Sequence, residues 1–342
     1  MSEDDVVTVA HGSGAGRTRD FLEERVVPRF GGGSEDLPVG LAALDDGAVH
    51  DLGDQSLVVT TDSHVVSPLS FPGGDIGRLA VAGTVNDLAV MGATDPLALT
   101  CSLIVEAGTS TDLLDSILDS MERTCEEAGV AITTGDTKVM GSGEVDGVVI
   151  NTTGVGVVPP GEHVSDGGLS PGDKIVLSGP VGDHGITLLA EREGFDIDGD
   201  LESDVAPVAD LVAAAMDAGT VTAMKDPTRG GFATAINEMV RKADVGVTLE
   251  EPTIPVREAV ASTGELLGID PFDVANEGKV VFGVAADDAD AVVDALNEHP
   301  MGSEAAVVGE VTDENRGRVV LDTGFGERFL SEPGGEQLPR IC

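Results

Sequence analysis

Apolar residues recur at helical spacing in some stretches of the chain and gather into short β-branched runs in others. The clearest helical stretch is Thr111 to Ala128. Leu114, Ile117, Leu118, Met121 and Cys125 fall on one face, Ser110 or Thr111 can cap the start, and Gly129 is a stop. Asp75 to Met91 predicts a second helix, rich in Ala, Leu and Val and closed by Gly92. Further helices are predicted over Val205 to Ala218, Gly231 to Ala243 and Asp287 to Glu298. Strands are predicted at Gln55 to Thr61, ending at Asp62, and at Val145 to Val158, Lys174 to Ser178, Lys279 to Ala285, Ala305 to Val311 and Arg318 to Asp322. Such mixing throughout the chain is the mark of an α/β or α+β protein. Pro159-Pro160-Gly161 and the Gly/Pro-rich stretch Gly167 to Asp173 interrupt the pattern. They predict one domain over residues 1–160 and a second over 161–330. Residues 331–342 show neither period and hold two glycines and two prolines, so a flexible tail is expected to carry Cys342.

Composition narrows the picture. The chain has 342 residues, of which 41% are hydrophobic and only 3% aromatic, with no Trp or Tyr, so its cores must be built from Val, Leu, Ile, Ala and Met. The formal charge is −43, from 62 acidic and 19 basic residues. Nucleic acids and anionic membranes need basic patches and are excluded as partners. The acids are spread among apolar periodic segments, which argues against an acidic disordered tail. The excess reads as adaptation to a salty cytoplasm, where charge repulsion is screened. Three cysteines without a CxxC spacing exclude a disulfide framework and a structural zinc site. Cys101 and Cys125 are expected to be buried core thiols. No signal peptide or long apolar run is present, so a cytoplasmic protein is expected.

Candidate chemistry lies in a few segments. His11-Gly12-Ser13-Gly14-Ala15-Gly16 follows a strand-like run and could cradle phosphate, or be one more glycine-rich turn. Asp62 closes a predicted strand, Asp87 interrupts an apolar helix, and Asp136, Asp226 and Glu277 lie in Gly-, Thr- or Asn-containing loops. Each alone reads as a cap or a solvated acid in so acidic a chain. Jointly they suggest a site where Mg²⁺ neutralises several carboxylates, because a carboxylate in an apolar helix is costly unless paired or metal-bound. Lys138 and Lys279 stand close to acids and could meet phosphate or form local ion pairs. The histidines show no metal-ligand spacing, and all but His11 are read as structural or surface residues. Cys342 is either a chance residue on a frayed end or a nucleophile on a swinging arm.

Taken together these segments resemble the HypE family of hydrogenase-maturation carbamoyl dehydratases. The resemblance rests on AHGSG (Ala10 to Gly14), TTDS (Thr60 to Ser63), FPGGDIG (Phe71 to Gly77), NDLAVMGA (Asn86 to Ala93), TGDTKV (Thr134 to Val139), GDHG (Gly182 to Gly185), DPTRGG (Asp226 to Gly231), ANEGK (Ala275 to Lys279), HPMG (His299 to Gly302) and the final PRIC. The Asp-containing segments are shared with the aminoimidazole ribonucleotide synthetase-like superfamily. Ala15 stands where a further glycine is expected, and Pro227 where a small non-proline residue is expected. The resemblance implies a two-domain aminoimidazole ribonucleotide synthetase-like fold. Its N-terminal mixed sheet would pair into a barrel in a homodimer, and helices would cover its C-terminal mixed sheet. It implies that a HypF-type carbamoyltransferase loads a carbamoyl group onto Cys342. ATP then drives dehydration to a thiocyanate, and the cyanide passes to iron on a HypC–HypD complex for the [NiFe] hydrogenase centre. It implies Mg²⁺ on Asp62, Asp87 and Asp226. ATP would lie by His11, Gly12, Gly14, Asn86, Asp136 and Thr137, with Glu277 as base and Lys138 stabilising charge. Two other readings compete: a synthetase of the superfamily acting on a free small molecule, and a non-catalytic scaffold that presents a thiol.

Overall fold

The structure is a computed structural model and describes residues 6–12, 14, 16–33, 36–194, 201–334 and 341. Two short helices, α1 (Gly16–Phe21) and α2 (Val27–Phe30), precede the first sheet. That sheet is formed by β1 (Ala48–Asp51), β2 (Ser56–His64), β5 (Pro96–Glu106), β6 (Ile132–Met140) and β7 (Val148–Val158), in the order β1-β2-β7-β5-β6. The hairpin β3 (Ser70–Phe71) and β4 (Gly74–Asp75) leads into helix α3 (Ile76–Val90). Only β5 and β6 are parallel, and helix α4 (Thr111–Glu127) makes their crossover.

Asp75 starts α3 by accepting from the N–H groups of Gly77 and Arg78 at 2.7 and 2.9 Å. The helix is apolar all round and is buried all round. One flank packs on β2 and β7, and the others on α4 and on a helix of the second half, Ala209–Ala218. Along β2, Val58, Thr60 and His64 are buried while Thr61 and Ser63 are exposed. The sheet therefore has one face under α3 and one open face.

The second half contains β8 (Lys174–Leu177), α5 (Asp183–Glu193), α6 (Ala209–Ala218), β9 (Val221–Lys225), α7 (Gly231–Ala243), β10 (Gly246–Glu250) and α8 (Glu258–Leu267). It continues with β11 (Val281–Val284), α9 (Ala289–Glu298), β12 (Ala306–Thr312), β13 (Arg318–Asp322) and β14 (Glu327–Leu330). Its seven strands run β14-β13-β10-β12-β8-β11-β9, and only β10 and β13 are parallel. The central strands are buried on both faces. Val176 and Phe282 join a core that continues through Leu211 of α6 to Leu79, Ile117 and Ile150 of the first half. Ile175 and Leu177 face a second core under α7, where Phe232 meets Phe272 edge to face with centroids 6.1 Å apart.

The sequence pattern locates α4, α7, β7 and β13 well. The helix predicted from Val205 starts only at Ala209, because tertiary bonds hold the preceding backbone. Val205 O accepts from Arg78 Nε at 2.7 Å, and Ala206 O and Val208 N–H bond the side chain of Asn86. Strand β2 continues past Asp62 to His64 along its full pairing with β7. Cys101 and Cys125 are buried free thiols, as expected, and burial raises both above the usual thiol pKa. No helix among the described residues is long and apolar enough to cross a membrane.

With 62 acidic residues on one chain, repulsion should weaken the folded state in dilute buffer. The melting temperature is expected to rise as KCl goes from 0.1 to 1 M, where the Debye length shrinks from about 10 to about 3 Å. A flat or falling melting temperature would refute this.

Candidate active site

Three carboxylates converge where the two halves meet. Asp87 lies in the last turn of α3, Asp226 directly follows β9, and Asp46 precedes β1. One oxygen from each lies within 4.8 Å of the others. Thr60 Oγ1 donates to Asp87 Oδ2 at 2.7 Å, while Asp46 Oδ2 is buried without a partner. Burial, with the charges of Asp226, Asp62 and Asp46, pushes the Asp87 carboxyl well above its usual pKa. Burial and Asp46 push Asp226 up to about 7. Like charges this close cannot all remain ionised without a cation or a proton among them. An unpartnered oxygen amid hard oxygen donors fits Mg²⁺. Asp62 stands on β2 beside this set, its Oδ2 3.7 Å from His64 Nε2, and its field reaches Asp87, Asp226 and Glu277.

A basic wall adjoins the acids. Lys225 Nζ lies 2.6 Å from Asp46, 3.3 Å from Asp166 and 3.6 Å from Glu238. Burial opposes its charge, but these three carboxylates hold its pKa well above the usual value. A cleft of about 480 Å³ opens here, lined among others by Gly14, Asp46, Lys225, Asp226, Arg229 and Gly231. The turn from Asp226 into α7 depends on glycine. Gly230 and Gly231 have φ of 78° and 63°, and a Cβ on Gly231 would sit 2.4 Å from Val274 O. Gly14 presses on the same loop, since its Cβ would fall 2.3 Å from Arg229 Cβ. The N-terminal turn of α7 thus opens at the cleft, where the helix dipole suits an anion.

Glu277 approaches the cluster from the second half. It is 3% exposed, and its Oε1 is buried without a hydrogen-bond partner. Burial and the charges of Asp226, Asp204 and Asp62 push its carboxyl well above the usual range. Asp204 fixes its backbone by accepting from Glu277 N–H at 3.1 Å, from Asn276 Nδ2 at 2.9 Å and from Lys279 Nζ at 3.2 Å. Asn86 donates to the carbonyls of Glu277 and Ala206, each at 3.1 Å, and accepts from Val208 N–H. Its amide is thus committed to clamping this loop onto α3. Beyond Asp204, His184 of α5 holds the end of the chain: its Nε2 lies 2.8 Å from Ile341 O. Cys342 lies outside the described residues.

The remaining expected residues stand elsewhere. His11 is bonded to Thr8 and packs edge-on against Phe21, with centroids 5.6 Å apart. Gly12 has open space around it. Asp136, Thr137 and Lys138 lie on β6, the exposed edge of the first sheet. Asp136 pairs in register with Ser102, whose row continues through Asn151 to Ser63, so Asp136 and Lys138 point to the open face. Within one chain they are on the far side of the sheet from Asp87. The sequence reading missed Asp46, Lys225, Asp204 and His184. Lysine scarcity was a usable signal: the chain has five lysines, and each pairs with a carboxylate.

Two family models match the chain. "AIR synthase related protein, N-terminal domain" covers residues 44–158, and "AIR synthase related protein, C-terminal domain" covers residues 170–322. The carbamoyl dehydratase HypE of Rhodobacter capsulatus is 45% identical over 344 residues, 99% of this chain and 99% of its own length. That of Escherichia coli K12 is 40% identical over 342 residues, 98% and 99% of the two chains. Among solved structures, a chain of a HypE–HypF complex superposes with a TM-score of 0.83 at 40% identity, covering 90% of this chain and all 100% of that one. A HypE in complex with ATP gives 0.81 at 39% identity, over 98% and 100%.

Proposed function

The chain belongs to the HypE family of AIR-synthase-related proteins, and from that premise we propose that it is an ATP-dependent carbamoyl dehydratase of hydrogenase maturation with Cys342 as its carrier thiol. A HypF-type carbamoyltransferase loads the Cys342 sulfur, giving a thiocarboxamide. The carbonyl oxygen of that group takes the γ-phosphoryl of ATP as one nitrogen proton leaves. The C–O bond then breaks, phosphate departs with that oxygen, and the second nitrogen proton is removed. Thiocarboxamide and ATP become thiocyanate, ADP and phosphate, and the cyanide passes to iron held by a HypC–HypD-type complex.

The observation that carries this reading is the meeting, in a chain that spans 99% of a HypE relative, of the Asp46–Asp87–Asp226 set with Glu277, whose Oε1 has no hydrogen-bond partner. Asp62, Asp87 and Asp226, joined by Asp46, would hold Mg²⁺. The ion supplies Lewis-acid neutralisation of phosphate charge. Glu277 accepts the nitrogen protons. Arg229 and the first turn of α7 bind the phosphates, with Gly14 keeping the loop beneath them closed. The protein works as a homodimer joined through the open face of the first sheet, which allows Asp136 and Lys138 of one protomer to reach the nucleotide of its partner, with Thr137 between them on the same edge strand. The uncovered face and exposed edge strand β6 support that pairing. The thiocyanate route works in the cytoplasm, and the acidic surface suits a halophile.

Cys342→Ala is expected to leave ATP binding and the melting temperature unchanged while abolishing carbamoyl uptake. Mass spectrometry of the tail peptide, after incubation with ATP, carbamoyl phosphate and the transferase, reads this out. A labelled Ala variant would remove Cys342 as the carrier.

A further inference from the structure

Asp46 belongs to two sets of carboxylates. One is the Asp46–Asp87–Asp226 set. In the other, one oxygen from each of Asp45, Asp46 and Asp166 lies within 4.8 Å of the others. This second set is already filled from inside the protein. Lys225 Nζ donates to Asp46 Oδ1 at 2.6 Å and to Asp166 Oδ2 at 3.3 Å, and lies 3.6 Å from Glu238. Lys242 Nζ donates to the same Asp166 Oδ2 and to Leu44 O, each at 2.6 Å. Two of the chain's five lysines thus converge on one carboxylate, and that carboxylate belongs to a fully buried residue of the connection between the two halves. Asp45 is held separately, its Oδ2 accepting from Ser165 Oγ at 2.6 Å.

Two oxygens of this network are left over. Asp46 Oδ2 and Asp166 Oδ1 are both buried without a hydrogen-bond partner, although buried polar atoms are as a rule paired. Each is an acceptor in reserve. Asp46 Oδ2 can serve a cation shared with Asp87 and Asp226, and Asp166 Oδ1 can serve Lys225. The lysine can therefore leave Asp46 without leaving the network, because Asp166 and Glu238 already stand within 4 Å of its ammonium. A divalent ion on Asp46 would repel an ammonium bonded to the same carboxylate, and buried surroundings screen that repulsion poorly. We propose that Lys225 is a positioning residue, an internal counter-cation that holds Asp46 in the metal-free protein and yields it to Mg²⁺ by moving onto Asp166 and Glu238. Asp166 acts through Lys225, as the group that receives the displaced ammonium. The exchange rests on the reading of Asp46, Asp87 and Asp226 as the Mg²⁺ site; the ion-pair network does not.

The probe is Mn²⁺, which takes the same hard oxygen ligands as Mg²⁺, titrated without nucleotide while electron paramagnetic resonance counts the free ion. The titration is run in 1 M KCl, where a Debye length of about 3 Å suppresses diffuse binding to the acidic surface. Lys225→Met keeps an unbranched stem and removes the charge. It should bind Mn²⁺ about tenfold tighter or more, and its melting temperature should fall in EDTA. Lys225→Arg keeps the charge and should stay within about threefold of wild type. Asp166→Asn removes the receiving carboxylate and should bind Mn²⁺ about tenfold more weakly. In the double variant, the loss caused by Asp166→Asn should shrink to about threefold or less, because no ammonium has to be received. Unchanged or weaker Mn²⁺ binding in Lys225→Met overturns the proposal. If that variant does not fold, unchanged binding in Asp166→Asn overturns it instead. An equal loss from Asp166→Asn with and without Lys225 would reduce Asp166 to attraction through space and also overturn the exchange. Asp87→Asn, which removes a carboxylate ligand and no lysine, separates the two readings. If it binds Mn²⁺ as tightly as wild type, the metal site itself is wrong and the exchange falls with it. If it binds Mn²⁺ weakly while the Lys225 and Asp166 variants match wild type, the metal site stands and only the exchange fails.

Discussion

Glu277→Gln is expected to stop dehydration while leaving every earlier step in place. Removing a positioned general base typically costs roughly 10²–10⁴ in rate. Glu277 is buried, one of its oxygens has no partner, and its backbone is held by Asp204 and Asn86. Gln has nearly the same shape and keeps those backbone bonds, so the loop should stay where it is. The variant should bind Mg–ATP normally and accept the carbamoyl group on Cys342, then accumulate the thiocarboxamide. Mass spectrometry of the tail peptide over time separates the two adducts. Thiocyanate forming at an undiminished rate would exclude Glu277 from the mechanism and leave water or another carboxylate as the base.

Asp87→Asn is expected to act in opposite directions with and without ligand. In metal-free protein Asp87 faces Asp46, Asp62 and Asp226 across a buried gap, and those charges raise its pKa well above normal. Asn is neutral without taking up a proton and can still accept from Thr60 Oγ1, so the cost of burying an ionisable group among like charges is lost and the melting temperature in EDTA at neutral pH should rise. The same change deletes a charged ligand to a hard cation, and Mg–ATP affinity should fall tenfold or more, a loss of at least about 1.4 kcal/mol. Calorimetry and melting curves with and without Mg–ATP measure both signs. A variant with unchanged Mg–ATP affinity, or one destabilised in EDTA, would contradict the assignment.

Part of this site can be read from the sequence, and the physical reason differs residue by residue. Asp87 stands out because an ionised side chain in an otherwise apolar helix demands a partner. Asp226 stands out because Gly230 and Gly231 mark a turn that only glycine makes easily. Asp46 carries no such mark: it is one of 62 acids, beside Asp45, ahead of a strand of ordinary composition. Asp204 acts by receiving three donors from the Asn276–Lys279 loop, a relation that exists only once distant segments are packed. Strand β6 lacks a buried face, so its sequence has no alternation to reveal it. The Val205 segment shows local preference yielding to tertiary bonds, because Arg78 and Asn86 hold the carbonyls and the N–H that a helix would have used. Asn86 itself reads as a nucleotide ligand from its motif, whereas in this chain its amide is spent on backbone.

The burial of α3 on every side constrains how the protein is made. On the ribosome this helix emerges long before α6 and the Val205–Val208 segment that cover its outer flank. At ~5–20 residues per second, the interval from Val90 to Ala218 lasts on the order of ten seconds. Throughout that time the nascent first half carries an oily flank that nothing of its own can shield. Completion of the first half therefore waits on translation of the second, and the growing chain needs a holdase during that window more than the finished protein ever does.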